Sequence, residues 1–347
     1  MTYAIMLNPR HGRVYLDASG IMAVNELLFA GRFLSESPVD VREENICEVP
    51  YVLFERSGLL TADDVRILSR LSFAYALFEL RGGLLAPIAR DHGYFVDEDI
   101  SAIMKYSGKT NELFTRLMLN LALANQAGTA PVRVLDPMAG KGTTLYEALM
   151  LGADAYGVEI DPKPAYESFV YIKKHFEMAR YKHTSHTEKT GGTDKAGKKF
   201  SAIRYQVEMA RSKDEQRAGN TRRFEMVAGD TRHVGAYFKK EFFHAIVADL
   251  PYGVQHGAKK KPSGGGHTSS RNALELVKEA VPGWVRALKP GGALVLAWNL
   301  FMIDREEMAA VFTANGFVVQ EWMDFSHRLD QATHRDLMVG VKATIPA

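Results

Sequence analysis

The most chemically suggestive stretch of this sequence is Asp249-Leu250-Pro251-Tyr252-Gly253, which follows the apolar run Ala245–Ala248. A strand ending there would present a carboxylate, a main-chain carbonyl and an aromatic ring together at the edge of a sheet. Those groups suit a planar amine. The Asp249 carboxylate and the Pro251 carbonyl can accept its two N–H bonds, which orients the nitrogen and makes its delocalised lone pair more available. Tyr252 can stack on the attached ring. Taken alone, Pro251 and Tyr252 equally well end a strand and fill a core.

Upstream, Val134-Leu135-Asp136-Pro137-Met138-Ala139-Gly140-Lys141-Gly142-Thr143 puts an acid at the end of a buried strand and two glycines before a helix. Glycines permit a tight turn and let a ligand approach the backbone. The spacing is not that of a dinucleotide loop, because position 145 is leucine where a third glycine would fall. Nineteen residues after Gly140 comes Glu159, at the end of the next apolar strand. A carboxylate there can accept from both hydroxyls of a ribose. Asp161 reads as a helix cap. Ala228-Gly229-Asp230 ends a third strand, and Asp230 is either an acceptor for an adenine amino group or a turn residue.

Asp249-Leu250-Pro251-Tyr252 resembles the [Asp/Asn]-Pro-Pro-[Tyr/Phe] signature of methyltransferases that act on exocyclic amines, with Leu250 as the departure. With the glycine loop, Glu159 and Gly253, the sequence resembles the superfamily of tRNA guanine-N2 methyltransferases, whose members usually carry a THUMP RNA-binding domain. The resemblance covers about residues 105 to 343. It implies S-adenosylmethionine as cofactor, with Asp136 beside the methionine ammonium and the loop residues Met138, Ala139, Gly140, Gly142 and Thr143 around it. Glu159 would hold the ribose, Asp230 the adenine, and Asp249 would border both cofactor and acceptor. The segment Ser107–Phe114 resembles one that closes over the methionine end of the cofactor, which implies Thr110, Asn111 and Phe114 there; Thr110 is equally readable as a helix cap. The catalytic set is then Asp249, Pro251 and Tyr252, and the substrate an RNA, with guanine-N2 of tRNA favoured. Rivals are a DNA adenine-N6 or cytosine-N4 methyltransferase, a protein glutamine methyltransferase and a non-catalytic cofactor-binding scaffold. A nicotinamide oxidoreductase fits neither the loop spacing nor the acceptor motif.

These residues need strands to end side by side. From about Ile103 the pattern alternates helix and strand, with apolar strands at 132–135, 155–160, 224–228, 245–248, 293–298, 317–323 and 337–341. Helices fit at 111–125, 143–151, 164–180, 272–288 and 305–315. That predicts an α/β, Rossmann-like class I methyltransferase fold: a seven-stranded, mostly parallel sheet with an antiparallel C-terminal strand. Residues 1–100 are expected to form a small α+β N-terminal domain, possibly positioning RNA or substrate, ahead of a methyltransferase domain over 101–347. Within the first domain, strands are expected at Tyr3–Leu7, Arg13–Leu16 and Glu48–Glu55, the first two joined by a turn at Pro9–Gly12. A helix capped by Thr61 is expected to run through Val65, Leu68, Leu71, Ala74 and Leu77. About 100 residues do not hold both a ferredoxin-like lead domain and a full THUMP domain.

The bulk numbers narrow the classes. The chain has 347 residues, 46% hydrophobic and 24% charged, with a net charge of +2. Cys47 is the single cysteine, which excludes an internal disulfide and any multi-cysteine zinc site. No run approaches a membrane span, so a soluble, cytoplasmic protein is expected, with no metal and no membrane partner. The charge is unevenly spread. Lys182–Arg223 holds eleven Lys or Arg against five Asp or Glu, and 256–271 is basic with no acid. Basic loops are therefore expected at 183–220 and 255–271, either binding RNA phosphates or simply solvated. His327–Gln331 and His334–Asp336 read as a rim contact or as surface ion pairs of small weight.

Overall fold

The computed structural model describes residues 1–9, 13–102, 110–124, 131–194, 197–251, 268–320 and 323–344, and the side chains of these except 13–19, 102 and 268–272. The chain runs β1 (Thr2–Leu7), α1 (Arg13–Ala30), β2 (Val39–Ile46), β3 (Val49–Glu55), α2 (Ala62–Arg70), β4 (Ala74–Arg81), β5 (Leu84–Ile88), α3 (Asp99–Ala102) and α4 (Glu112–Leu123). It continues β6 (Arg133–Asp136), α5 (Thr143–Met150), β7 (Asp154–Glu159), α6 (Pro162–Met178), β8 (Lys182–Thr193), β9 (Lys199–Ala210), α7 (Lys213–Arg217) and β10 (Arg222–Ala228). The remainder is α8 (Val234–Tyr237), β11 (Phe243–Asp249), α9 (Thr268–Ala287), β12 (Leu288–Asn299), α10 (Arg305–Ala314), β13 (Phe317–Val319), β14 (His327–Arg328) and β15 (His334–Lys342). Among the described residues no helix is long and apolar enough to cross a membrane.

Two sheets organise the molecule. The first is antiparallel, in the order β2-β3-β1-β4-β5. Alternation along β1 turns Tyr3, Ile5 and Leu7 into a core shared with Ala23 and Leu27 of α1 and Leu68 of α2. The second sheet runs β13-β15-β12-β11-β6-β7-β10-β9-β8, with β14 paired to β15. Its centre, from β10 through β7, β6 and β11 to β12, is parallel, and β15 enters antiparallel between β12 and β13. This is the class I methyltransferase strand order. The chain moves outward from β6 in one direction and from β11 in the other, so the crevice beyond the ends of β6 and β11 is the switch point where open α/β sheets take ligands. Two apolar clusters cover the faces, one including Leu117, Leu149, Phe176 and Phe224, the other Trp284, Trp298 and Phe312.

Helix α1 joins the two parts. Met22 and Phe29 belong to the same apolar cluster as Leu121 and Phe325, while Ala23 and Leu27 belong to the first sheet's core. Asn120 Nδ2 donates to Glu26 Oε1 at 2.7 Å and to the Arg70 carbonyl at 2.9 Å, and Asn25 Nδ2 to the Asp324 carbonyl at 2.6 Å.

Several local expectations change. Arg13–Leu16, read as a strand, opens α1; Met22, Ala23, Glu26, Leu27 and Phe29 are buried at helical spacing on two sides of the helix, and that burial outweighs the β-propensity of a few residues at its start. Helix α2 begins at Thr61 as expected, with a reciprocal capping box to Asp64, but it ends at Arg70. Leu71 adopts extended dihedrals, and Ala74 and Leu77 lie in β4, paired with β1. The stretch 183–220, expected as a basic loop, instead forms most of β8, all of β9 and α7, and its polar first part, 183–193, is the outer strand β8. That part is polar because β8 is an outer edge strand with both faces largely wet, and edge strands avoid apolar residues. The 255–271 segment lies outside the described residues up to Thr268. The sheet is accordingly ten-stranded: the seven expected strands, this hairpin and β14.

Candidate active site

The loop after β6 is tightly tied to β7. The Ala139 amide donates to the Val158 carbonyl at 2.9 Å, and a side chain at Gly157 would put its Cβ 2.8 Å from that of Ala139. Gly142 caps α5 with φ of +90°, and its absent Cβ would lie 2.8 Å from Ser168 Oγ. Gly140, at φ of +52°, donates its amide to Glu159 Oε2 at 2.9 Å, and the Asp161 amide donates to Glu159 Oε1 at 2.8 Å. Two backbone donors thus fix the Glu159 carboxylate at the end of β7. Asp161 caps α6 through the Lys163 amide, as the sequence suggested.

Asp136 is 4% exposed at the end of β6. Burial pushes its carboxyl up to about 7, despite hydrogen bonds from the Thr144 side chain and the Met138 amide, and the charges of Asp249 and Glu159 push it further the same way. Burial also raises Glu159. Three carboxylates therefore converge on one rim at an electrostatic cost that a cationic ligand would relieve.

Asp249, at the end of β11, is held on two sides. Thr110 Oγ1 donates to Asp249 Oδ2 at 2.9 Å, and Arg335 Nη2 of β15 lies 3.4 Å from the same oxygen. Both partners of this ion pair are largely buried, at 5% exposure for Arg335 and 10% for Asp249. The Arg335 guanidinium lies over the Phe114 ring, 4.4 Å from its centroid, and the His327 ring lies 5.3 Å from that of Phe114. Burial pushes His327 down to about 4, and its Nδ1 is 3.0 Å from the Phe325 carbonyl. Leu250 is buried with its amide on the Ala297 carbonyl, and Pro251 is exposed; Tyr252 lies outside the described residues.

The structure thus brings Asp136, Glu159, Asp249, Thr110 and the Met138–Thr143 loop to one end of the sheet. It gives the helix cap to Asn111, whose side chain accepts from the Leu113 and Phe114 amides, and leaves Thr110 for Asp249. Phe114 is fully buried. Asp230 is clasped by Arg232, which is itself held by Glu279. Burial would raise Asp230, but the Arg232 hydrogen bonds outweigh it and hold it low. Sequence reasoning gave no individual role to Arg335 and gave its segment small energetic weight; nothing local in His334-Arg335-Asp336 distinguishes a buried guanidinium from a surface one. Among the described residues no group of His, Cys, Asp and Glu could hold a metal ion.

The family model for the RMKL-like methyltransferase domain (UPF0020) matches residues 106–280, half of the chain. The chain belongs to that family. The match is to a methyltransferase domain, and the residues at the rim would suit S-adenosylmethionine as its cofactor: a buried, destabilised carboxylate at Asp136, a glycine turn open to a ligand, and a doubly anchored Glu159. No curated protein matches the sequence. Similar solved structures include TrmN from Thermus thermophilus, at 15% identity and a TM-score of 0.39, covering 87% of this chain and 59% of that one. A candidate RNA methyltransferase of Pyrococcus horikoshii has 14% identity and a TM-score of 0.38, with 70% and 95% covered. The 1,6-didemethyltoxoflavin-N1-methyltransferase of Burkholderia thailandensis, solved with S-adenosylhomocysteine, has 14% identity and a TM-score of 0.37, with 67% and 80% covered. The RMKL-like chain spans about 59% of the length of TrmN.

Proposed function

We propose that this RMKL-like methyltransferase acts on an exocyclic amino group of a base in structured RNA, with guanine-N2 of tRNA as the favoured acceptor. The observation that carries this reading is the Asp249 carboxylate, fixed by Thr110 and Arg335 beside the switch-point crevice and followed directly by Leu250-Pro251. Thr110 and Arg335 both hold Oδ2 in place, and the carboxylate accepts an N–H bond from the amine and takes the proton, directly or through water, once the methyl group has transferred. Pro251 contributes its carbonyl and Tyr252 its ring. Asp136 faces the ammonium of the cofactor, whose sulfonium supplies the methyl group, and Glu159 binds its ribose. Met138, Ala139, Gly140, Gly142 and Thr143 form the turn beneath it. A base reaches this crevice only by leaving its stack.

The reading is tested by incubating the protein with methyl-labelled S-adenosylmethionine and, separately, unmodified tRNA, rRNA, duplex DNA and a protein extract, then digesting to nucleosides or amino acids. Label in N2-methylguanosine from tRNA is expected. Label in DNA N6-methyladenine, N4-methylcytosine or protein glutamine replaces the substrate assignment, and no label in any acceptor removes it.

A further inference from the structure

The β8–β9 hairpin is long enough to leave the sheet. Ala228, the last residue of β10, is paired with Ile203 of β9, and Ile203 is paired with Lys189 of β8. Beyond that level four more pairs follow, from Thr190 with Ala202 to Thr193 with Lys199. Because β9 runs antiparallel to β10, this overhang extends past the C-terminal ends of the parallel strands by about 13 Å at roughly 3.3 Å per residue. It therefore stands up on the side of the sheet where Glu159, Asp136 and Asp249 lie. It is braced there: the Phe200 ring stacks on His233 at 3.9 Å and 7° and meets Tyr237 edge-on at 5.8 Å.

The overhang is also basic. Residues 189–199 hold Lys189, Lys195, Lys198 and Lys199 against Asp194 alone, a net +3 beside +2 for the whole chain. Asp194 is occupied in closing the turn, its Oδ1 accepting from the Lys198 amide at 2.8 Å. Lys189, Lys198 and Lys199 are exposed. Lys189 and Thr193 point to the same face of β8, and Lys199 opposes Thr193, so Lys189 and Lys199 share one face about 13 Å apart. Protection of an edge strand explains a lysine on β8, but Lys198 and Lys199 belong to the turn and to the inner strand.

We propose that this overhanging hairpin holds the phosphate backbone of the RNA substrate against the catalytic rim. The inference rests on the RNA reading above. From β9 to β11 is four strand spacings, about 19 Å at ~4.8 Å each, so the lysines meet the backbone some nucleotides away from the base at Asp249. They serve binding, and chemistry at saturating RNA does not depend on them.

The test compares two triple variants with equal change of charge. One is Lys189→Glu, Lys198→Glu, Lys199→Glu at the overhang; the other is Lys182→Glu, Lys213→Glu, Arg217→Glu at the opposite end of the hairpin. RNA affinity is measured against salt with whichever RNA the wild type methylates, alongside S-adenosylmethionine binding as a check on folding. For the overhang variant, RNA binding weakens roughly tenfold or more and the slope of log K against log salt falls by about 2 to 3, the value for three phosphate contacts. Cofactor affinity and kcat at saturating RNA stay at wild-type values, and the control variant loses much less. Unchanged RNA affinity in the overhang variant, or an equal loss in the control, overturns the hairpin assignment while leaving the RNA reading intact. A wild type that methylates no RNA overturns both.

Discussion

Two buried aspartates carry opposite electrostatics. In the N-terminal sheet region, Asp64 is 1% exposed and is surrounded by donors: the Ser35 amide and hydroxyl at 2.7 and 2.6 Å, the Thr61 amide at 2.9 Å and Arg56 Nη1 at 3.0 Å, with the Arg56 side chain itself 3% exposed. Burial alone would raise its pKa, yet the Ser35 and Thr61 hydrogen bonds win and hold the carboxyl well below the usual range. At the rim, Asp136 is equally buried but is held by two neutral donors and faces two further carboxylates, and its pKa rises to about 7. The first constellation is complete within the chain and stabilises the fold. The second carries an electrostatic cost that the ammonium of the proposed cofactor would relieve, and in that reading the asymmetry separates a binding carboxylate from a structural one.

Removing each aspartate sharpens the contrast. Asp64→Ala leaves the buried Arg56 with the more distant Glu36, at 3.6 Å, as its remaining carboxylate and is expected to cost about 3 kcal/mol in denaturant unfolding, with cofactor affinity of the folded fraction unchanged. Asp136→Asn is expected to leave the ligand-free fold as stable or more stable, while S-adenosylmethionine binding by calorimetry weakens by about 2 kcal/mol, roughly thirtyfold, through loss of a charged partner for the ammonium. A large loss of stability in Asp136→Asn with unchanged affinity would make Asp136 structural like Asp64 and erase the distinction.

Arg335 should behave as a positioning residue. Arg335→Gln is expected to lower kcat roughly tenfold and to leave the KM for cofactor near wild type, because the Asp249 carboxylate loses one of the groups that fix its position. Arg335→Lys restores kcat in part. A fall in kcat that Arg335→Lys does not relieve at all would point to a packing role through Phe114.

The smallest effect is in the pH dependence of stability, where the two sites have opposite signs. Asp64 has a folded pKa below its unfolded value, so its contribution is present above about pH 4 and is lost as pH falls below it. Asp136 has a folded pKa of about 7, above its unfolded value, so its folded form holds the proton more tightly. Its contribution is present below about pH 4 and is lost as pH rises toward 7. Differences between wild type and the Asp64→Ala and Asp136→Asn variants in melts from pH 3 to 8 should show these opposed trends, and parallel trends would break the comparison.

Sequence alone was most legible where periodicity and end signals agree. The central strands and helices lie within a few residues of their expected positions, because apolar runs such as Ile246–Ala248 and caps such as Thr61 and Asp161 are local. The rim carboxylates could be placed because strand ends are visible as apolar runs stopping at an acid. What failed was information held by neighbours. Residues 183–193 look like a loop until β9 supplies the pairing partner, and Arg335 looks like surface charge until β15 lies next to β12 with Phe114 beneath the guanidinium. Arg13–Leu16 failed for a different reason, since four residues of strand-like composition are too short a window against an 18-residue helix.

The central claim is that Asp249 handles the acceptor amine. It is tested most directly by single-turnover methyl transfer to tRNA with wild type and Asp249→Ala, each saturated with labelled S-adenosylmethionine and checked for cofactor binding. The account predicts label in N2-methylguanosine for wild type and a loss of roughly a hundredfold or more in the variant, with cofactor affinity changed by less than about tenfold. Transfer by the variant at the wild-type rate, or a loss explained entirely by failure to bind cofactor, would contradict it.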